Sequence, residues 1–157
     1  MAEPKITIVK KELCSRCEQI NSSNGYYTNI GREVVRGPVP ESINETDLPL
    51  TYVRGGEISG EGNVSNSQRS GFSIVFESHD KVTTENPEDQ ADMMLDDLHR
   101  AIEQAVSMSQ IKSSVIKKQP EFIAEAIGYP GGSGKFVSVS VEYQIYISRP
   151  YGQTTNQ

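Results

Sequence analysis

The alternating segment near residue 140 constrains the fold most. Between Lys135 and Ser148, apolar and polar residues alternate strictly, which indicates a β-strand with one buried face and one polar face. The apolar positions are Val137, Val139, Val141, Tyr143, Ile145 and Ile147, and the polar positions between them include Ser138, Ser140, Glu142 and Gln144. The apolar face needs a covering layer, so a sheet with helices on one side is expected.

Two segments show the three- and four-residue spacing of apolar side chains that is typical of amphipathic helices. The first runs from Pro4 to Ile20, with Pro4 in its first turn. The second has Asn86 as its N-cap and Pro87 as its first helical residue, and it ends between Val106 and Met108. Its apolar stripe consists of Ala91, Met94, Leu95, Leu98, Ile102 and Ala105.

The other segments supply shorter strands and one long connection. Strands are predicted at Leu48–Arg54, Phe72–Phe76 and Glu121–Ile127, with one strand or two short ones at Tyr26–Val35. Gly55–Gly71 contains five glycines and few apolar residues, which predicts a long loop that is a surface connection or an arm for a partner. The chain is therefore predicted to be one α+β domain over residues 1–148, followed by a flexible tail at 149–157. This domain has an antiparallel or mixed sheet, two helices packed on one face and a long Gly-rich loop.

Cys14 and Cys17 form a Cys-x-x-Cys pair. This spacing occurs in half of a zinc site and in redox motifs, but no second pair exists and His79 and His99 are far away in sequence. The pair also lies inside a helical pattern rather than between a strand and a helix. We therefore expect two reduced thiols, with Cys17 packed as a small hydrophobic side chain and Cys14 beside the apolar stripe.

No catalytic arrangement stands out in the sequence. Asp92, Asp96, Asp97 and His99 lie close together on the second helix, and a solvated acidic face is expected there rather than a metal site. Gly128–Lys135 superficially resembles a phosphate-binding loop, but it lacks the first glycine and leads into a strand. The chain is therefore not expected to be an enzyme or to hold a cofactor or a metal.

The charge balance narrows the classes of partner. The chain has 15 Lys and Arg residues against 21 Asp and Glu residues, a net charge of −6, whereas a sequence-independent DNA-binding protein is normally basic. No stretch reaches the roughly 20 apolar residues that span a bilayer, and residues 1–11 lack the apolar run of a secretory signal. We expect a protein that is made in a cytoplasm and has no membrane partner.

Several segments, taken in order, form a pattern over residues 6–148. They are Tyr26–Gly31 with Val34, Asp47–Leu50 leading to Val53 and Gly55-Gly56, Phe72–Ile74, the helix Ala91–Ile102 and the strand Val139–Tyr143. In order and spacing this pattern resembles the tail terminator (tail completion) proteins of long-tailed bacteriophages. The Cys-x-x-Cys pair and the residues after Arg149 are not part of it.

The resemblance implies a structural virion protein without catalytic residues. It implies a hexameric ring that caps the tail tube protein, ends tube polymerisation and meets a head-completion or neck protein near the head–tail junction. Genomic DNA would pass through the lumen without specific binding, and the subunit would be made in the host bacterial cytoplasm. We hypothesise that the contacts with subunits or partners include Arg54, Glu57, Glu61, Arg69, Arg149 and Tyr151.

Other interpretations stay open at the level of sequence. One is a neighbouring neck, tail-tube or completion component, because related tail proteins have similar size and layout. Another is a non-catalytic protein-binding module. A third is a small metal or redox protein that uses Cys14 and Cys17.

Overall fold

The structure, a computed structural model, describes residues 3–64, 67–105, 120–131 and 134–150, without the side chains of 57–71, 104–105 and 147–150. In chain order the elements are α1 (Lys5–Cys17), β1 (Val34–Arg36), β2 (Leu50–Val64), β3 (Ser67–Lys81), α2 (Pro87–Ala105), β4 (Glu121–Gly128) and β5 (Phe136–Pro150). Single 3-10 turns lie at Ser22–Asn24 and Glu45–Asp47. This set of elements confirms the predicted α+β class.

The five strands form one mixed sheet in the order β1-β2-β3-β5-β4. β1 runs parallel to β2, and all other neighbouring strands are antiparallel. The hairpins β2–β3 and β4–β5 meet through the β3–β5 pair, in which Phe72 lies opposite Ile145 and Phe76 opposite Val141. Within the described residues, the two edges of the sheet are β1 and β4.

Both helices pack on the same face of the sheet, as predicted. One buried cluster joins the apolar sides of α1 and α2 to the strands, and it includes Val9, Leu13, Met94, Leu98, Val53, Ile74, Phe76 and Val141. The predicted inward-facing residues of β5, from Val137 to Ile145, are at most 2% exposed. Because burying one large apolar side chain contributes roughly 1.5–3 kcal/mol, this helix-covered face, called the inner face below, holds the fold together.

The predicted helix starts are confirmed. Pro4 caps α1, and the Asn86 side chain accepts a hydrogen bond from the Glu88 amide at 3.0 Å at the start of α2. α1 ends at Cys17 rather than at Ile20. Ile20 is nevertheless buried in the same cluster. It fits the apolar spacing of the helix because it packs in the core, although the chain is no longer helical there. The predicted end of α2 lies outside the described residues.

The prediction of a long loop at Gly55–Gly71 is wrong. β2 and β3 remain paired through Asn63 and Gln68, and Val64 lies opposite Ser67. Two register shifts occur in β2, one between Gly55 and Ile58 and one between Gly60 and Asn63. On its other side, this part of β3 pairs with β5 as far as Pro150. Backbone pairing, of β3 with two neighbours and of β2 with β3, therefore produces strands here despite the glycines, which weaken strands when considered locally.

The prediction of strands over Tyr26–Val35 is also largely wrong, since only Val34–Arg36 forms a strand. The preceding residues follow an irregular path along the helices, with Ile30 fully buried. Gly31 allows this path: its amide donates to the Ile20 carbonyl at 2.9 Å. A Cβ at this position would lie 2.2 Å from the Cys17 carbonyl oxygen. The chain therefore crosses the end of α1 too closely for any other residue.

Candidate interaction site

The structure describes the positions of some of the six residues that we predict to contact subunits or partners. Arg54 lies on β2, and its guanidinium is 3.7 Å from the Glu77 carboxylate. Glu57 and Glu61 lie further along β2, where the structure describes the backbone but not the side chains. Arg69 is opposite Ser148, and Gln68 is opposite Arg149. The sheet therefore brings the backbones of Arg69 and Arg149 close together, and Tyr151 is outside the described residues. The role of all six residues in assembly stays a prediction.

Sequence reasoning missed an exposed apolar surface, which lies on the edge strand β4. Phe122, Ile123 and Ile127 are 48%, 46% and 41% exposed, and every residue from 121 to 127 is exposed. Phe122 pairs in register with Tyr143 and Ile127 with Val139, so both point to the inner face. The segment Glu121–Ile127 is predicted as a strand, but nothing in it indicates that the strand lies at an edge of the sheet.

A cluster around His99 attaches this edge to the rest of the domain. The His99 Nδ1 atom lies 2.5 Å from the Tyr143 hydroxyl, and its Nε2 atom lies 2.9 Å from the Glu125 carboxylate. The rings of His99, Phe122 and Tyr143 meet edge to face, with centroids 5.4–5.9 Å apart. Both ring nitrogens of His99 have protein partners, so this arrangement positions α2 against β4 and β5 rather than presenting a free base.

The protonation state of Tyr143 supports a role in holding α2 against β4 and β5. Burial, followed by the negative charge of Glu103, raises the pKa of the Tyr143 hydroxyl. The hydroxyl therefore remains a donor at neutral pH, and the Glu103 carboxylate lies 3.5 Å from it. A protonated phenol next to His99 provides a hydrogen bond between two elements and no reactive oxyanion.

The prediction of a solvated acidic face on the second helix is wrong for Asp97. Asp92 and Asp96 are exposed, but Asp97 is completely buried. Its carboxylate accepts hydrogen bonds from the Tyr27 amide at 3.1 Å, and from the Thr28 amide and hydroxyl at 2.8 and 2.7 Å. It is therefore a structural anchor for the irregular segment. Among the described residues, no three His, Cys, Asp or Glu side chains are arranged to hold a metal ion.

The cysteine pair lies in the core. Cys14 and Cys17 are free and buried, which confirms the expected packing of Cys17 and places Cys14 deeper than predicted. Burial raises the pKa of the Cys14 thiol to about 11 and also raises the pKa of the Cys17 thiol. Both thiols are therefore protonated at neutral pH, which disfavours nucleophilic or redox chemistry.

A basic groove lies at the opposite edge of the sheet, next to β1. It has a volume of about 500 Å³, and its lining residues include Lys10, Arg36 and Arg54. Of these, Arg54 is near Glu77, whereas Lys10 and Arg36 have no ion-pair partner among the described side chains. Arg54 follows the inner-facing Val53 and pairs with Val75, so its side chain lies on the outer face with Glu77, and the cations of the groove are Lys10 and Arg36.

A second groove, of about 330 Å³, lies between the segment around Val39 and the start of β5. Its lining is mostly apolar, and its polar residues are Glu41, Glu45, His79 and Asp80. His79 is 2.7 Å from Glu77, and Asp80 accepts a hydrogen bond from the Lys81 amide at 2.7 Å. His79 and Asp80 therefore have protein partners, as does Glu45, which is 3.5 Å from Lys81. Neither helix, over its described residues, is long and apolar enough to cross a membrane.

The whole fold is similar to a chain in a solved structure titled "Virion of native gene transfer agent (GTA) particle". The TM-score is 0.52 and the sequence identity is 10%, and the alignment covers 87% of this chain and 94% of that chain. No protein-family model matches the sequence. No curated protein matches it. The similarity therefore shows a shared fold.

Proposed function

We propose that this chain is a structural subunit of a bacteriophage-like virion. The observation that carries the proposal is the fold similarity to a chain of a gene transfer agent virion, which covers 87% and 94% of the two chains. Because coverage of both chains is nearly complete, the likeness concerns the arrangement of the whole domain rather than one common motif. The protein contacts assigned to His99, Asp97 and the two buried cysteines support a structural rather than a catalytic role.

Within the virion, the proposed role is that of a tail terminator. Six copies form a ring that caps the tail tube, ends its polymerisation and contacts a head-completion or neck protein. The pattern of segments over residues 6–148 supports this position. The net charge of −6 per copy also supports it, since a negative lumen lets DNA pass without binding. The exposed apolar edge at β4 supplies a surface for assembly.

The test is a mass measurement by light scattering over a concentration series, with negative-stain images of the same samples and of samples mixed with purified tail tubes. A six-fold ring of about 100 kDa, expected from a 17.3 kDa subunit, at the end of the tubes supports the proposal. Incorporation along the tube instead indicates a tube component. A monomer that tubes do not recruit contradicts the proposal and favours a protein-binding module.

A further inference from the structure

We propose that the β4 edge of one copy binds the β1 edge of a second copy, so that the sheet continues from subunit to subunit. This inference rests on the proposed ring-forming function and identifies the surfaces that would join the subunits. Three independent features of the sheet edges support it: open backbone groups, apolar exposure and opposite charge.

Among the described residues, no strand pairs with β1 on its outer side. The Glu33 carbonyl accepts from the Thr51 amide and the Gly37 amide donates to the Val53 carbonyl, both at 2.9 Å. In a parallel pair, alternate residues bond to the same neighbour. Val34 and Arg36 therefore direct their amide and carbonyl groups away from β2. Among the described residues, β4 pairs with β5 on one side and has no strand on the other.

The apolar side chains of β4 are unusual for a free edge. Natural edge strands are normally short or carry lysine or proline, because a long apolar edge pairs with other chains. β4 has two glutamates and a register shift after Phe122, but it is eight residues long, has neither Lys nor Pro, and has three large apolar side chains that are more than 40% exposed. On the other edge, Val35 is 37% exposed. Val35 pairs with Tyr52 and faces the outer side of the sheet, whereas Phe122 and Ile127 face the inner side, so pairing of the two edges would shield each side chain along its own face.

The charges of the two edges are opposite. The charged residues of β4 are Glu121 and Glu125, whereas β1 carries Arg36 and the groove beside it includes Lys10. Glu125 is in register with the buried Val141 and Arg36 with the buried Val53, so both lie on the inner face. In a continuous sheet they would share one face, where opposite charges on adjacent strands attract.

The same charges select the type of assembly. Pairing β4 with β4 of a second copy would bring the glutamates of both copies together, which is unfavourable. Pairing β4 with β1 uses two different surfaces, and such a head-to-tail contact forms a ring when the rotation between copies closes. The charges therefore favour a head-to-tail contact between β4 of one copy and β1 of the next over a symmetric contact between two β4 strands.

Charge reversal tests the contact. Arg36→Glu and Glu125→Lys should each raise the concentration needed for self-association about tenfold or more, while an equimolar mixture of the two variants should assemble again. In the mixture, one kind of contact joins the native Glu125 and Arg36, and the other joins the exchanged lysine and glutamate. Asp96→Lys, an exposed charge reversal on α2, is the matched control and should assemble normally.

Further controls separate folding and function from the proposed contact. Ile123→Lys places a charge on the edge without removing the Glu125–His99 contact, and it should also block assembly while the melting temperature stays close to that of the unaltered chain. If Arg36→Glu, Glu125→Lys and Ile123→Lys assemble like the unaltered chain, the edge contact is wrong and the ring function stands. Failure of the mixture to assemble also overturns the contact. If the unaltered chain never self-associates, alone or on tail tubes, the ring function fails as well.

Discussion

Asp97 and Thr28 form a buried two-point contact between α2 and the irregular segment before β1. One carboxylate oxygen of Asp97 accepts both the amide of Thr28, at 2.8 Å, and its hydroxyl, at 2.7 Å. The other oxygen accepts the Tyr27 amide. A carboxylate is suited to this position because it only accepts hydrogen bonds, and all three neighbouring groups donate.

Asp97→Asn should therefore destabilise the domain by about 2–4 kcal/mol, because the new NH₂ group faces a donor inside a fully buried site. Urea unfolding followed by circular dichroism measures the change. Asp96→Asn is the matched control on the neighbouring, exposed position, and it should change stability by less than about 0.5 kcal/mol. Equal effects of the two substitutions would contradict the anchoring role of Asp97.

Gly31→Ala should destabilise the domain by about 2 kcal/mol or more, because the added methyl group meets backbone atoms that cannot move independently. The contact is with the Cys17 carbonyl oxygen at 2.2 Å. Gly55→Ala provides the control, since its Cβ would meet only the flexible end of the Lys10 side chain at 3.1 Å. Thermal unfolding of both variants checks the difference, and a stable Gly31→Ala protein would show that the close crossing is not required.

Alkaline pH should weaken the fold partly through Cys14. Burial raises the pKa of this thiol from 9.0 to about 11, so between these values the unfolded chain has lost a proton that the folded chain keeps. The free energy of unfolding must then fall as the pH rises through this range. Cys14→Ala should show a smaller decline between pH 9 and 11 in urea unfolding, whereas parallel curves for the two proteins would exclude this contribution.

Tyr143→Phe should loosen the β4 edge. The substitution keeps the ring but removes the hydroxyl beside His99 Nδ1, with an expected loss of about 1–2 kcal/mol. Amide hydrogen exchange should become faster in β4, because the link between β4, β5 and α2 is weakened. Tyr129→Phe alters a tyrosine that is exposed and should leave both measurements unchanged. If Tyr143→Phe leaves the rate of amide hydrogen exchange in β4 unchanged, the hydroxyl of Tyr143 does not hold β4 to α2.

Elements that bury a regular apolar pattern could be predicted from the sequence. The alternation from Val137 to Ile145 placed β5 correctly, and the spacing from Ala91 to Ile102 together with Asn86 placed the start and buried face of α2. In these segments, local periodicity and tertiary packing agree. The Gly55–Gly71 strands have no such pattern, because neighbouring backbone rather than an apolar face holds them.

The surfaces at the two sheet edges, β1 and β4, could not be predicted from the sequence. The sequence shows Phe122, Glu125 and Arg36, but their meaning depends on strand order, which places β4 and β1 at opposite edges. Asp97 illustrates the same difficulty, because its burial arises from residues about seventy positions earlier in the chain. Helical spacing alone grouped it with Asp92 and Asp96, which are exposed.

The arrangement of the two hairpins has a consequence for how the chain folds. β2–β3 and β4–β5 each join strands that are close in sequence, so each closes at a small entropic cost. The β3–β5 pair joins them across the whole of α2. This distant pairing should limit the folding rate. During synthesis the central sheet cannot be completed before β5 leaves the ribosome, and until then β3 has no partner on one side.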